Sequence, residues 1–166
     1  GAGPGKKVAI VGMGGLGHMG VQIAAAMGAD VTVISQTMAK EADGLRFGAS
    51  EYYAMSEPGT AKKLRDTFDL MVTTVSADGD MTPLVMMLKT AGVLVDVGLP
   101  EHPVTLSMGA LAGKNRVLAG SNIGGVAETQ EMLDFCGEHG LAAQVEVIAG
   151  EEITEAYDKV VGSKVR

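Results

Sequence analysis

Gly12, Gly14 and Gly17 form a Gly-x-Gly-x-x-Gly run directly after the apolar segment Lys7–Val11 and at the head of a stretch with helical spacing. Gly12 permits a tight turn, Gly14 lets the backbone come close to a bound group, and Gly17 lets the following helix pack near the strand. The N–H groups that open such a helix have no intrahelical acceptor, so those of Gly15 and Leu16 are expected to face an anion. Placed between a strand and a helix, the fingerprint predicts that a dinucleotide binds here through its pyrophosphate.

An NAD(H)-preferring site needs a carboxylate near the end of the second strand, about 20 residues beyond the fingerprint, for the ribose hydroxyls. Ser35 stands there instead. Asp30 has a tempting sequence distance, but it precedes the second strand and reads as a loop residue at the edge of the sheet away from the cofactor. Without the carboxylate, a 2′-phosphate meets no repulsion. Ser35 and Thr37 offer hydrogen bonds, and Lys40 supplies a positive charge within the same turn. Taken singly, Thr37 reads as a helix N-cap and Lys40 as a solvated lysine; their convergence with Ser35 favours NADP(H) over NAD(H).

The other reactive side chains carry no such pattern. His18, His102 and His139 have neither paired metal-ligand spacing nor a companion cysteine motif. His18 reads as a residue of the first helix, and no metal site is expected. Cys136, the single cysteine, reads as a packed thiol on the apolar face of its helix beside Leu133 and Phe135. Met81, Met86 and Met87 read as core or domain-facing filler. No catalytic residue is assigned to this chain.

Composition sets the frame for these residues. With 166 residues, 46% hydrophobic and 4% aromatic, the chain fits one domain whose core is Val, Ile, Leu, Ala and Met. A formal net charge of -7 opposes a nucleic-acid partner. One cysteine excludes an internal disulfide and makes a reducing cytoplasm the simplest setting. No apolar run approaches the roughly 20 residues that span a bilayer, so no membrane partner is expected.

The elements that must position the site alternate. Strands are predicted at Lys7–Val11, Val31–Ser35, Glu51–Ala54, Asp69–Val75, Val93–Val97 and Val117–Ser121. Helices are predicted from Leu16 to a stop at Gly28, then at Thr37–Phe47, Ala61–Asp66, Met81–Thr90, Glu128–Glu138 and Ile153–Val161. Val104–Leu106 reads as a short extended piece and Val145–Ile148 as a last strand. The alternation implies an α/β fold of the Rossmann type: a doubly wound parallel six-stranded sheet with right-handed crossovers and helices on both faces. Residues 1–166 read as a single NAD(P)-binding domain.

The stretch VAIVGMGGLGHMGVQIAAAMGADVTVISQT, preceded by GPGKK, resembles the zinc-dependent medium-chain alcohol dehydrogenases, particularly the cinnamyl alcohol dehydrogenase branch. The segments KTAGVLVDVGLP, GSNIGG and ETQEMLDFC extend the resemblance over nearly the whole chain. The resemblance implies that Ser35, Thr37 and Lys40 hold the 2′-phosphate, with Gln36 where that branch usually has a serine. It implies that Thr74, Gly98, Ser121, Asn122 and Ile123 line the ribose and nicotinamide end, Asn122 replacing a residue often aromatic there. In that family hydride passes between nicotinamide and an alcohol or aldehyde while a zinc ion polarises the oxygen. The zinc ligands belong to a separate catalytic domain, which is absent from this sequence and is its implied partner. SKVR falls about where similar enzymes return to that domain, so the chain reads as an excised or truncated domain; without the zinc ligands and the other wall of the substrate pocket, it is expected to be inactive alone. The resemblance further implies a homodimer through the sheet edge near Val104–Met108 and Val117–Ser121.

Two alternatives differ in kind. A stand-alone dinucleotide sensor or regulatory module would keep the same turn and signal through a partner. A methyltransferase also begins with a glycine-rich turn but wants an acidic residue after its second strand, where this chain has Ser35.

Overall fold

The computed structural model describes residues 1–162. In chain order the elements are β1 (Lys7–Val11), α1 (Gly15–Ala26), β2 (Asp30–Ser35), α2 (Glu41–Arg46), β3 (Glu51–Ala54), α3 (Thr60–Lys63), β4 (Phe68–Thr73), α4 (Thr82–Met87), β5 (Leu88–Asp96), α5 (Met108–Ala112), β6 (Val117–Gly120), α6 (Val126–His139) and α7 (Ile153–Val161). One-turn 3-10 segments at Met38–Lys40 and Gly150–Glu152 precede α2 and α7.

β1 shows why the sheet is buried on both sides. Val8 and Ile10 face Val21 and Ala24 of α1, with Val31, Val33 and Phe47 in the same cluster. Ala9 and Val11 point the other way, into a cluster with Ile34, Phe68, Met71, Val85 and Ala110. Period-two side chains that are apolar on both faces require a layer of helices on each. Burial of a side chain such as Phe68 or Met71 contributes on the order of 1.5–3 kcal/mol.

All strand pairs are parallel, in the order β3-β2-β1-β4-β5-β6. The chain winds outward from β1 to β3, then crosses to β4 and winds outward the other way. The carboxyl ends of β1 and β4 therefore flank the switch point, the place where open α/β sheets form a crevice. At the opposite edge, the buried Arg116 ties the start of β6 to its neighbours: Nε donates to the Leu88 carbonyl at 2.8 Å and a terminal nitrogen to that of Ala110 at 2.9 Å.

Several boundaries differ from the sequence reading. The helix expected over Met81–Thr90 ends at Met87, because Leu88–Thr90 belong to β5, where Leu88 pairs with Phe68 and is fully buried. An apolar run reads alike in a buried helix and a buried strand. The helix expected over Thr37–Phe47 is a 3-10 turn followed by the shorter α2, and that expected over Ala61–Asp66 is only α3. Asp30 is the first residue of β2 rather than a loop residue, and it sits at the amino end of the strand, paired with Lys7 at 3.3 Å. The strand expected at Val145–Ile148 does not form. Val145 and Val147 are exposed, and no described strand lies beside them to complete a ladder. The SKVR return at residues 163–166 lies outside the described residues. Among the described residues, no helix is long and apolar enough to cross a membrane.

Candidate functional site

The turn after β1 is built by its glycines in two distinct ways. Gly12 has φ +97, and a Cβ there would stand 2.7 Å from the Thr74 hydroxyl; a Cβ on Gly17 would stand 2.0 Å from the Gly12 carbonyl oxygen. Both positions are closed by the protein itself, which is how α1 starts so near β1. Gly14 and Gly15 differ: an added Cβ at either meets nothing within 4 Å. Both line a cavity of about 1030 Å³ that opens over the carboxyl ends of β1, β2 and β4. The protein leaves that space open, and it lies where the helix presents its unpaired N–H groups.

The Ser35, Thr37 and Lys40 side of the cavity lies one strand away. These three line it together with Gln36. Thr37 caps the 3-10 turn, its hydroxyl accepting the Ala39 N–H at 3.4 Å, which leaves the O–H free to donate. Lys40 reaches back across the glycine turn, Nζ donating to the Met13 carbonyl at 3.2 Å. Among the described residues no carboxylate lines this side.

Thr74 stands between β1 and β4. Its hydroxyl donates to the Val11 carbonyl at 3.1 Å, locking the two strand ends together beneath the cavity. Beyond it the cavity is lined by Asp78 and Asp80, with Met81 and Pro83 opening α4. The Asp78 carboxylate accepts both the backbone N–H of His102 (2.9 Å) and its Nδ1 (2.7 Å), a contact that holds the carboxyl below the usual range. Leu99 N–H donates to Ser76 at 3.1 Å, and Asp80 bridges Thr105. The loops after β4 and β5 are thus tied together at this end.

Of the remaining sequence-derived residues, Gly98, Ser121, Asn122 and Ile123 are not among those that line the cavity. Gly98 packs against the Val75 carbonyl oxygen, which would be 2.2 Å from an added Cβ, and its N–H donates to Asp96 at 2.9 Å. Ser121, Asn122 and Ile123 follow β6 and are exposed; the Asn122 side chain accepts the Ile123 N–H at 2.8 Å. Leu16 lines the cavity mouth and is largely exposed. Sequence reasoning missed Asp78, Asp80, Met55 and Pro83 as lining residues. A strand followed by Asp-Gly-Asp could have flagged the first two as a loop at the carboxyl edge; nothing marks Met55.

Cys136 is buried, its thiol 3.7 Å from the Met132 sulfur. Met87 is fully buried, and Met81 and Met86 pack partly buried against the same core. Among the described residues no three His, Cys, Asp or Glu side chains converge as a metal site would require.

Comparison with known proteins places this arrangement. The family profile described as "Zinc-binding dehydrogenase" matches residues 15–138. An NADP-dependent alcohol dehydrogenase C of Mycobacterium tuberculosis is 54% identical over 165 residues, covering 99% of this chain and 48% of that protein. The structure of a cinnamyl alcohol dehydrogenase from Sorghum bicolor superposes with a TM-score of 0.96 at 39% identity, over 99% of this chain and 47% of that one. The CAD of Helicobacter pylori, solved in complex with NADP(H), gives a TM-score of 0.89 at 34% identity, again over 99% and 47%. This chain spans about half the length of these relatives. With most of its length matched by the profile and its sheet superposing on theirs, the chain belongs to the zinc-binding dehydrogenase family.

Proposed function

We propose that the cavity over β1 and β4 binds NADP(H), and that residues 1–166 are the cofactor-holding domain of an NADP-dependent alcohol dehydrogenase. The observation that carries this reading is the meeting, in one cavity, of the open Gly14–Gly15 turn with Ser35, Thr37 and Lys40, on a side that no carboxylate lines among the described residues. The bound nicotinamide would supply the hydride donor or acceptor for an alcohol–aldehyde interconversion. Gly14, Gly15 and Leu16 would offer N–H groups to the pyrophosphate, with Gly12 and Gly17 shaping the turn. Ser35 and Thr37 would donate to the 2′-phosphate, and Lys40 would neutralise it while staying within reach of the glycine turn. Thr74 would meet the ribose side; Gly98, Ser121, Asn122 and Ile123 would frame the nicotinamide end once the remainder of the enzyme closes over it.

The family relationship supports a catalytic domain outside this sequence as the supplier of zinc and of the substrate wall. The edge position of β6 among the described strands, with Val117 half-exposed, and the exposure of Met108 support pairing with a second copy. Calorimetric titration with NADPH and NADH at matched salt tests the cofactor assignment. NADPH should bind more tightly. Lys40→Ala should weaken NADPH by about 10- to 100-fold, the range for a charge-assisted hydrogen bond, while changing NADH far less. Tighter binding of NADH would overturn the assignment of Ser35, Thr37 and Lys40.

A further inference from the structure

His18, in the first turn of α1, is buried yet has both ring nitrogens engaged. Nδ1 lies 3.2 Å from the Gly14 carbonyl oxygen, and Nε2 accepts the backbone N–H of Gln144 at 3.1 Å. A carbonyl can only accept and a backbone N–H can only donate, so the two partners fix a neutral ring with its proton on Nδ1. One turn later on the same face, the Gln22 side chain donates to the Ala142 carbonyl at 3.3 Å. The segment at 142–144, more than a hundred residues away in sequence and outside any helix or strand, is thereby fastened to α1.

The Gly14 end of this link bears on the site. In a planar trans peptide the C=O of Gly14 and the N–H of Gly15 point in opposite directions. Holding the Gly14 oxygen toward His18 therefore aims the Gly15 N–H away from the helix body, and Gly15 lines the cavity. Both residues are glycines with no side chain to fix that plane, so a second bond from the ring restricts what the helical His18 N–H bond at 3.0 Å leaves loose. The ring itself is held by its tilted contact with Phe47, centroids 5.6 Å apart.

We infer that His18 is a positioning residue that couples the phosphate-binding turn to the 142–144 segment, so that dinucleotide binding and the anchoring of that segment reinforce each other. The inference rests on the proposed cofactor site and adds to it a link from the turn to the part of the chain that follows α6. Coupling of this kind is reciprocal.

The test uses this chain with NADPH as the probe. His18→Phe keeps a ring against Phe47 and loses both hydrogen bonds; His18→Gln retains one donor and one acceptor. NADPH affinity should fall about five- to tenfold in His18→Phe, the size of one neutral hydrogen bond, and recover at least in part in His18→Gln. In the unsubstituted chain NADPH should slow hydrogen exchange at the Gln144 amide, and in His18→Phe it should not. A His18→Phe chain with unchanged circular dichroism that binds NADPH normally, or an unsubstituted chain in which NADPH binds but leaves Gln144 exchange unchanged, overturns the coupling while the cofactor site stands. If the unsubstituted chain binds no nucleotide, the cofactor reading fails and the coupling with it. If His18→Phe loses its fold, the His18→Gln affinity and the Gln144 exchange response of the unsubstituted chain decide.

Discussion

Gly14 and Gly17 are three residues apart and are glycines for different reasons. An alanine at 17 would press its Cβ to 2.0 Å from the Gly12 carbonyl oxygen, so the helix start must move. Such overpacking against backbone costs about 1–3 kcal/mol or more, and Gly17→Ala should lower the melting temperature by several degrees. An alanine at 14 meets no protein atom and sits at an ordinary extended φ of -105, so the melting temperature of Gly14→Ala should hold. Its methyl group occupies the space assigned to the pyrophosphate, and nucleotide affinity should drop at least tenfold. Equal thermal loss in the two variants, or normal NADPH binding by Gly14→Ala, would contradict this division. The sequence carries the spacing of both glycines, because spacing is local. What it leaves open is which one the protein fills, since that depends on where Thr74 and the Gly12 carbonyl come to rest. Gly98 makes the same point: family resemblance puts it near the cofactor, whereas its contact with the Val75 carbonyl gives it a backbone reason to be glycine.

Among the elements, β5 departs most from its sequence reading, and a single residue accounts for the departure. Ala91 adopts φ +60 in the middle of the strand, and the pairing with β4 shifts register between Phe68 and Leu70. Two short strand segments are thus joined through a left-handed residue, which no period in the sequence announces. The left-handed region costs an L-residue about 1–2 kcal/mol, and Ala91 is exposed, so its methyl loses little packing if removed. Ala91→Gly should therefore stabilise the chain by about 0.5–1 kcal/mol after the extra backbone entropy of glycine, read as a rise of roughly 1–4 °C in Tm. A lower Tm would show that the strain is not relieved. The loops after β4 and β5 carry a pH dependence. Hydrogen bonds from the His102 backbone and ring hold the Asp78 carboxyl below its ordinary value of 3.8. A depressed folded-state value means that this contribution is complete above the ordinary value and is lost as the pH falls below it. Acid unfolding of Asp78→Asn should accordingly show a weaker dependence on pH below that value; identical acid limbs would remove Asp78 from the account.

At the scale of the whole molecule, a packed sheet stands next to a stretch whose apolar side chains are, among the described residues, largely exposed. Val145, Val147, Tyr157 and Val161 are 76%, 95%, 69% and 84% exposed. The sequence marks this stretch as a strand and a helix because its pattern is apolar. The helix forms, since its hydrogen bonds are internal; the strand does not, since a strand needs a neighbour. The relatives are about twice as long, and the proposed catalytic half is the neighbour this stretch would pack on. If this face belongs against a catalytic half, replacing the matching half of the Mycobacterium tuberculosis relative with residues 1–166 should give a chimera that oxidises alcohols with NADP, whereas the chain alone binds the nucleotide without turnover. Val147→Asp should leave the stability of the isolated chain within about 0.5 kcal/mol, because the side chain is already in water. In the chimera the same substitution would place a charge in a docked interface and should lower both Tm and turnover. Alcohol oxidation by the chain alone, or a folded, NADPH-binding chimera with no turnover, would show that the apolar stretch and the cavity do not belong to one enzyme.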